Sequence, residues 1–221
     1  MSTDPIWLET ESVAMATAIR NARASFWEFA REVELENWRT IPAHDAALIK
    51  AYFPETGPKK VWEFLFVDEV VITRSAIKGT LVSQPKYVRG LAPEQAVTVL
   101  IENVCDWFLV IGGKGLGGFT VDVLKKTIPP DRLEEYESQP PVSWYRHRKS
   151  TTAQSELDQV PVCKKCNKRD LTDMSYREGL CGCCANGLSR TTCPTCGVPL
   201  IRSNAAPQEC FSCVTAKGRQ S

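Results

Sequence analysis

The sequence predicts an α+β protein: an N-terminal helix packed on a small antiparallel sheet, followed by a small C-terminal domain built of two similar cysteine-bearing units. Three observations predict it. An apolar stripe of helical period opens the chain, short β-rich runs separated by turn residues follow, and nine of the ten cysteines fall between Cys163 and Cys213. A chain of 221 residues has room for one domain of ordinary size and a small second one. Its 43% apolar and 24% charged residues are the composition of a globular chain with a core to bury.

Val13, Ala16, Ile19, Ala22, Phe26, Phe29 and Val33 recur every three or four positions, which predicts an amphipathic helix over 12–33, with Thr10 or Ser12 as its cap. The opening MSTDPIWLETES has no basic region followed by an apolar one, so no secretory signal is expected. The most apolar stretch, AVTVLIENVCDWFLVIGG, is interrupted by Glu102, Asn103 and Asp106 and is too short to span a bilayer. The expectation is a cytoplasmic protein with no membrane contact.

From 46 to 111 the runs AALIKAYF, KVWEFLFV, EVVIT, AIKGTLVS, AVTVLI and DWFLVI read as strands. Trp62, Phe64 and Phe66 share one face, expected to be core because no basic residues are interleaved with them as in a base-stacking platform. TVDVLKKTI reads as a short strand or a helical turn stopped by Pro129 and Pro130, and DRLEEYES closes the first domain at 138. Residues 139–160 lack a sustained period and read as a linker containing the small basic and aromatic patch WYRHRK. The second domain then runs over 161–216.

Gly113, Gly115 and Gly118 have the spacing of a dinucleotide loop after a strand. The segment that follows is only about eight residues before two prolines, too short for the helix that points its N-terminus at pyrophosphate. Nor does a lysine-then-hydroxyl ending make it a Walker loop. No bound nucleotide is expected, and the glycines read as a tight connection between antiparallel strands.

The same stretch carries a family resemblance. AMATAIRNARASFWEF, GTLVSQP at 79–85, VRGLAPEQAVTV and above all DWFLVIGGKGLGGFTVDVL resemble the bacterial YegJ-like domain of unknown function, over about 15–124. Phe108 replaces the methionine usual in that family's D-W-M…G-G-[FY]-T block, and the glycine turn is richer. The resemblance implies a compact α+β fold and, by analogy with similar small bacterial domains, a protein-binding role. It suggests Asp106, Trp107, Gly117, Gly118 and Thr120 as a recognition surface. A purely structural use of the same residues, with Trp107 in the core and Asp106 capping a turn, is the alternative.

The tail spells Cys163-x2-Cys166 and Cys181-x2-Cys184, then repeats as Cys193-x2-Cys196 and Cys210-x2-Cys213. A C-x2-C knuckle presents two thiolates from one tight turn, and two knuckles close a tetrahedron suited to Zn2+. Two structural zinc ions per chain are therefore expected, with metal supplying the stability that a short segment poor in large apolar side chains lacks. Sequential pairing is favoured over a cross-brace, because no histidine follows His147 and eight residues separate Cys184 from Cys193. Cys183 stays open: CGCC offers Cys181 with Cys184, or a set that uses Cys183. Four thiolates leave no position for water or substrate, so neither site is expected to be catalytic.

Residues 161–221 hold nine Lys or Arg against four Asp or Glu. Each Zn2+ with four thiolates carries about minus two, which nearly cancels that surplus. Lys164, Lys165, Lys168 and Arg169 remain as a modest cluster that could meet phosphates, helped by Arg146, Arg148 and Lys149. His44 and His147 have no matching nucleophile motif, and Cys105 sits in an apolar run where an inert thiol is the default. Read together, these features describe a non-enzymatic zinc-binding protein that contacts a protein partner. The alternatives are a nucleic-acid binder acting through its tail, and an enzyme with a site near Asp106, Asp122 and the 112–120 loop.

Overall fold

The computed structural model describes residues 12–54, 62–139, 142–145, 152–169, 171, 179–185, 189–202, 209–210 and 213–214. Helix α1 (Val13–Glu36) begins where Ser12 Oγ accepts the Met15 N–H at 3.1 Å, the N-cap expected of a serine at that place. Its buried stripe runs through Met15, Ala18, Ala22, Phe26, Phe29 and Val33. The stripe read through Val13, Ala16 and Ile19 is one step out of phase in the first turns, and Val13 stands 81% exposed.

Six strands form one antiparallel sheet: β1 (Ala46–Pro54), β2 (Trp62–Ile72), β3 (Ala76–Leu81), β4 (Ala96–Leu100), β5 (Val104–Ile111) and β6 (Lys114–Gly117), in the order β4-β3-β2-β1-β5-β6. β1 lies inside the sheet with both faces covered, and the consecutive residues Leu48, Ile49, Lys50 and Ala51 are all buried. The described part of KVWEFLFV, from Trp62 on, and EVVIT, which read as two strands, are the single strand β2. The polar pair Asp68–Glu69 at their junction is a bulge rather than a turn. The register against β3 shifts between Asp68 and Val71, with Glu69 at φ 52°. Gly79 faces this bulge, where a Cβ would come within 2.5 Å of the Asp68 carbonyl oxygen.

α1 covers one face of the sheet. Trp107 of β5 stacks on Phe29 at 5.4 Å, and its indole N–H donates to the Ala22 carbonyl and Ser25 Oγ, both at 3.1 Å. The other face carries a smaller core of Leu48, Phe108, Val121 and Val142, closed by α2 (Phe119–Thr127) and by the 3₁₀ turn Val142–Tyr145. TVDVLKKTI is therefore a helix, and α3 (Pro130–Ser138) opens with proline in its first turn.

The segment 139–160 is not a plain linker. After the 3₁₀ turn, α4 (Ala153–Gln159) forms on a Thr152–Ser155 capping box, and Ala153 and Leu157 are buried in the main core. The Asp122 carboxylate accepts the Ala153 N–H. A helix of seven residues gives too short an apolar period to stand out from the polar sequence around it. Arg146, His147, Arg148 and Lys149 lie outside the described residues.

Candidate metal centres and the buried aspartate

The eight cysteines gather in two groups, Cys163, Cys166, Cys181 and Cys184 in one and Cys193, Cys196, Cys210 and Cys213 in the other, with all sulfur atoms of a group within 4.8 Å of one another. The pairing is thus sequential, not cross-braced. The two units repeat each other bond for bond. Asn167 N–H donates to the Cys163 carbonyl at 2.8 Å, and Gly197 N–H to the Cys193 carbonyl at 2.7 Å. The residue closing each knuckle is left-handed, Asn167 at φ 52° and Gly197 at φ 72°, as these residue types allow. The second half of each unit also matches, Ala185 N–H bonding Cys181 O and Val214 N–H bonding Cys210 O. The Cys183 side chain lies outside the described ones.

The donor set fits zinc. Cys166 and Cys181 sulfurs are 3.8 Å apart and Cys196 and Cys210 sulfurs 3.4 Å. These separations exceed a disulfide bond and approach the edge, about 3.8 Å, of a tetrahedron with Zn–S bonds of ~2.3 Å. Burial opposes ionisation of Cys163, yet N–H groups of Cys181, Cys166 and Lys165 outweigh it and bring the thiol down to about 6. Cys193 is likewise held at about 7 against burial by N–H groups of Cys210, Cys196 and Thr195. Cys184 moves the other way, to about 12, through burial and its three neighbouring sulfurs. Cys163 and Cys193 are thus held toward the thiolate form that a metal ion takes as its ligand.

The two units are embedded differently. The first has a cluster of its own in Cys163, Cys181, Cys184 and Leu180, and meets the main core through Leu171. The second joins the main core: Cys193, Val198, Leu200 and Cys210 are buried together with α1. Arg31, almost fully buried on α1, donates to the Arg169 carbonyl at 2.5 Å. The Arg169 side chain reaches Asp158 at 3.1 Å and Glu28 at 3.9 Å. Of the four cations expected to meet phosphates, Arg169 is therefore committed to internal ion pairs, while Lys164, Lys165 and Lys168 are exposed.

The block Asp106, Trp107, Gly117, Gly118 and Thr120 is not a surface. Asp106, Trp107 and Thr120 are at most 1% exposed, and both glycines are enclosed. Asp106 Oδ1 accepts the N–H groups of Trp107 and Phe119 at 2.9 and 3.1 Å, and Oδ2 accepts the N–H and hydroxyl of Thr120 at 2.6 and 2.7 Å. Lys50, also buried, donates to Thr120 Oγ1 at 3.4 Å and lies 5.7 and 5.6 Å from the rings of Phe64 and Phe66. Burial pushes Asp106 up to about 6, against the bonds from Thr120 and the charge of Lys50. Burial lowers Lys50, against the charge of Asp106.

Lys50 is the member that sequence reading missed. It sits in a run whose neighbours all read as core, and a lysine between Leu-Ile and Ala on a strand covered on both faces was the available signal. The glycine loop is a two-residue hairpin between β5 and β6, Gly112 and Gly113 at φ 54° and 72°, tied down where Asp45 accepts the Gly113 N–H at 2.9 Å. Asp122, the other carboxylate near this loop, is turned to α4. Cys105 is buried, donates to the Asn103 carbonyl at 3.4 Å, and is pushed up by burial to about 11, as an inert thiol should be.

A helix-on-sheet domain braced by one buried aspartate, with two four-cysteine clusters behind it, defines an α+β protein with a tandem zinc-ribbon-like tail. The chain belongs to the bacterial family described as "Uncharacterized protein conserved in bacteria (DUF2314)", whose model matches residues 12–142. It is 26% identical over 122 residues to the uncharacterized protein YegJ of Escherichia coli K12, covering 55% of this chain and 74% of that protein. It is also 23% identical over 167 residues to a protein of Neisseria meningitidis serogroup B whose name calls it a putative ankyrin repeat protein, covering 72% of this chain. The chain spans 66% of the length of that relative. No solved structure matches. Among the described residues, no helix is long and apolar enough to cross a membrane.

Proposed function

We propose that this chain is a non-enzymatic, zinc-binding interaction protein of the cytoplasm, which holds two structural Zn2+ ions and uses its docked tail to contact a protein partner. The observation that carries this reading is the pair of closed four-sulfur groups, one of them built into the core beneath α1. Four thiolates fill a tetrahedron, so such a site fixes shape instead of performing chemistry. The shape it fixes is the position of the tail's exposed face beside α1. The name of the Neisseria relative is in keeping with an interaction role. The buried Asp106, tied to four donors, leaves no reacting atom open to substrate.

A second reading, nucleic-acid binding by the tail, is favoured by one observation: Lys164, Lys165 and Lys168 share the exposed surface of the first knuckle. One experiment separates the two. The purified full chain is assayed for zinc, with two ions per chain expected, then titrated into labelled single- and double-stranded DNA and RNA from low to physiological salt. Metal-free chain that keeps its folded tail sinks the zinc reading. Binding that weakens steeply with salt and is lost when the three lysines become alanine replaces the protein-partner reading with the nucleic-acid one.

A further inference from the structure

The docked tail leaves a cleft of about 500 Å³ between itself and α1. Trp27, Glu28 and Arg31 line it from the helix, Thr191 and Thr192 from β7 (Ser189–Thr192), and Lys168 from the first knuckle. Trp27 is 40% exposed beside it. Neither Trp27 nor the cleft has a part in holding metal.

β7 has one partner among the described residues, β8 (Pro199–Arg202), paired Thr192 with Pro199 through Ser189 with Arg202. The Cys193 N–H donates to the Val198 carbonyl at 2.8 Å, which sets the alternation of the ladder. Thr191 and Ser189 then bond to β8, whereas Thr192 and Arg190 turn their N–H and C=O groups to the open edge. Pro199, which has no N–H to give, stands opposite Thr192, as that alternation requires. Leu200 of β8 also lines the cleft, and a strand edge with unpaired groups is what receives an extended peptide as an added strand.

We propose that this cleft binds an extended, carboxylate-bearing segment of a partner protein, which pairs with the open edge of β7, sets an apolar side chain on Trp27 and gives a carboxylate to Lys168. The inference rests on the reading of the chain as an interaction protein and names the chemistry of its partner. Lys168 is exposed and has no ion-pair partner among the described residues, and Lys164 and Lys165 stand on the same knuckle. Arg31 is already held by Glu32 and the Arg169 carbonyl. Glu28 in the same wall is paired with Arg169 at 3.9 Å, which leaves Lys168 as the cation open to a partner's carboxylate. An aromatic side chain at the cleft, and backbone groups of β7 left without a partner among the described residues, are what a peptide uses, the first for an anchor and the second for register.

The test pans phage-displayed random heptapeptides on the zinc-loaded full chain, then measures the enriched sequences as labelled synthetic peptides by anisotropy, beside an oligothymidine. Enriched peptides should alternate acidic and apolar residues. Their affinity should fall by at least about tenfold with Trp27→Ala, with Lys168→Glu, and when alternate peptide amides are N-methylated. Lys78→Ala, on the exposed sheet surface, should leave it unchanged. Each variant is checked for two zinc ions and an unchanged melting transition. Peptides that bind the Trp27→Ala and Lys168→Glu chains as well as the parent overturn the cleft while leaving the interaction reading intact. No enriched peptide overturns the cleft as well. Salt-sensitive oligothymidine binding lost with Lys168→Glu overturns both.

Discussion

Asp106 and Thr120 are joined twice, the Oδ2 atom of the aspartate accepting the backbone N–H of Thr120 at 2.6 Å and its hydroxyl at 2.7 Å. α2 begins after Gly118, which has no side chain to cap it, so its first free N–H groups are capped by a residue from the neighbouring strand β5. The carboxylate thereby fastens the helix to the sheet and turns the hairpin β5–β6 into a fixed corner. Lys50, reaching Thr120 from β1, brings a third element to the same point.

Replacing Asp106 by alanine leaves three backbone N–H groups and the Thr120 hydroxyl without their acceptor, and Lys50 without its neighbouring carboxylate, in a dry interior. The expected loss is about 3–5 kcal/mol, the range for breaking a buried charged pair, read from chemical denaturation. The double change Asp106→Asn with Lys50→Met removes both charges and should recover part of that loss. A single Asp106→Ala chain within about 0.5 kcal/mol of the parent would mean the brace carries no load.

Two glycines of the same block separate conformation from contact. Gly117 has φ 77°, and a Cβ on it would overlap the Trp107 carbonyl oxygen. Gly112 has φ 54° with nothing within 4 Å of its Cβ. Gly112→Ala should therefore cost only the left-handed backbone, about 1–2 kcal/mol. Gly117→Ala adds a clash with fixed backbone and should cost about 3 kcal/mol or more. Equal melting temperatures for the two variants would remove the clash as a cause.

Much of this was legible in the sequence, and the reasons differ by element. The four C-x2-C pairs announce their turns and their ligands at once, because the geometry of a knuckle is local. α1 and the strands are legible through periods of three to four and two residues. The bulge at Asp68 and Glu69 was not, because a polar pair inside an apolar run reads the same whether the chain turns or only kinks. The role of Asp106 depends on Lys50 and Thr120, far apart in sequence, which no local pattern brings together. Arg169 looked like a surface cation for the same reason: its partners Glu28 and Asp158 come from α1 and α4.

The unequal embedding of the two four-cysteine units predicts unequal consequences of losing them. Cys181→Ser should release one zinc ion and lower the unfolding midpoint of the sheet domain only slightly, since its cysteines cluster among themselves and Leu171 is the unit's residue in the main core. Cys210→Ser should also release one ion, but it loosens Val198 and Leu200 from α1 and should lower the domain's midpoint as well. Zinc content and the fluorescence melt together report this. A Cys181→Ser chain that destabilises the domain as much as Cys210→Ser would show that the tail folds as one unit.

His44 gives the protein a dependence on acid whose sign can be worked out. Burial, helped by the Arg39 guanidinium, lowers its pKa from 6.5 to about 4, against the attraction of Glu36 and Asp45. Below pH 6.5 the unfolded chain takes up a proton that the folded chain refuses, so stability is lost as pH falls from 6.5 to about 4 and changes no further below that. At ~1.4 kcal/mol per unit the loss is about 3 kcal/mol. Asp106 works against it: its pKa rises from 3.8 to about 6, so the folded chain binds that proton first and gains stability over nearly the same window. The parent's own pH curve therefore mixes the two, and the difference between the parent and His44→Gln isolates the histidine. Measured by denaturant titration, the variant should gain about 2–3 kcal/mol on the parent between roughly pH 7 and pH 4. Parallel curves across that range would show that His44 titrates in the folded chain as it does in the unfolded one.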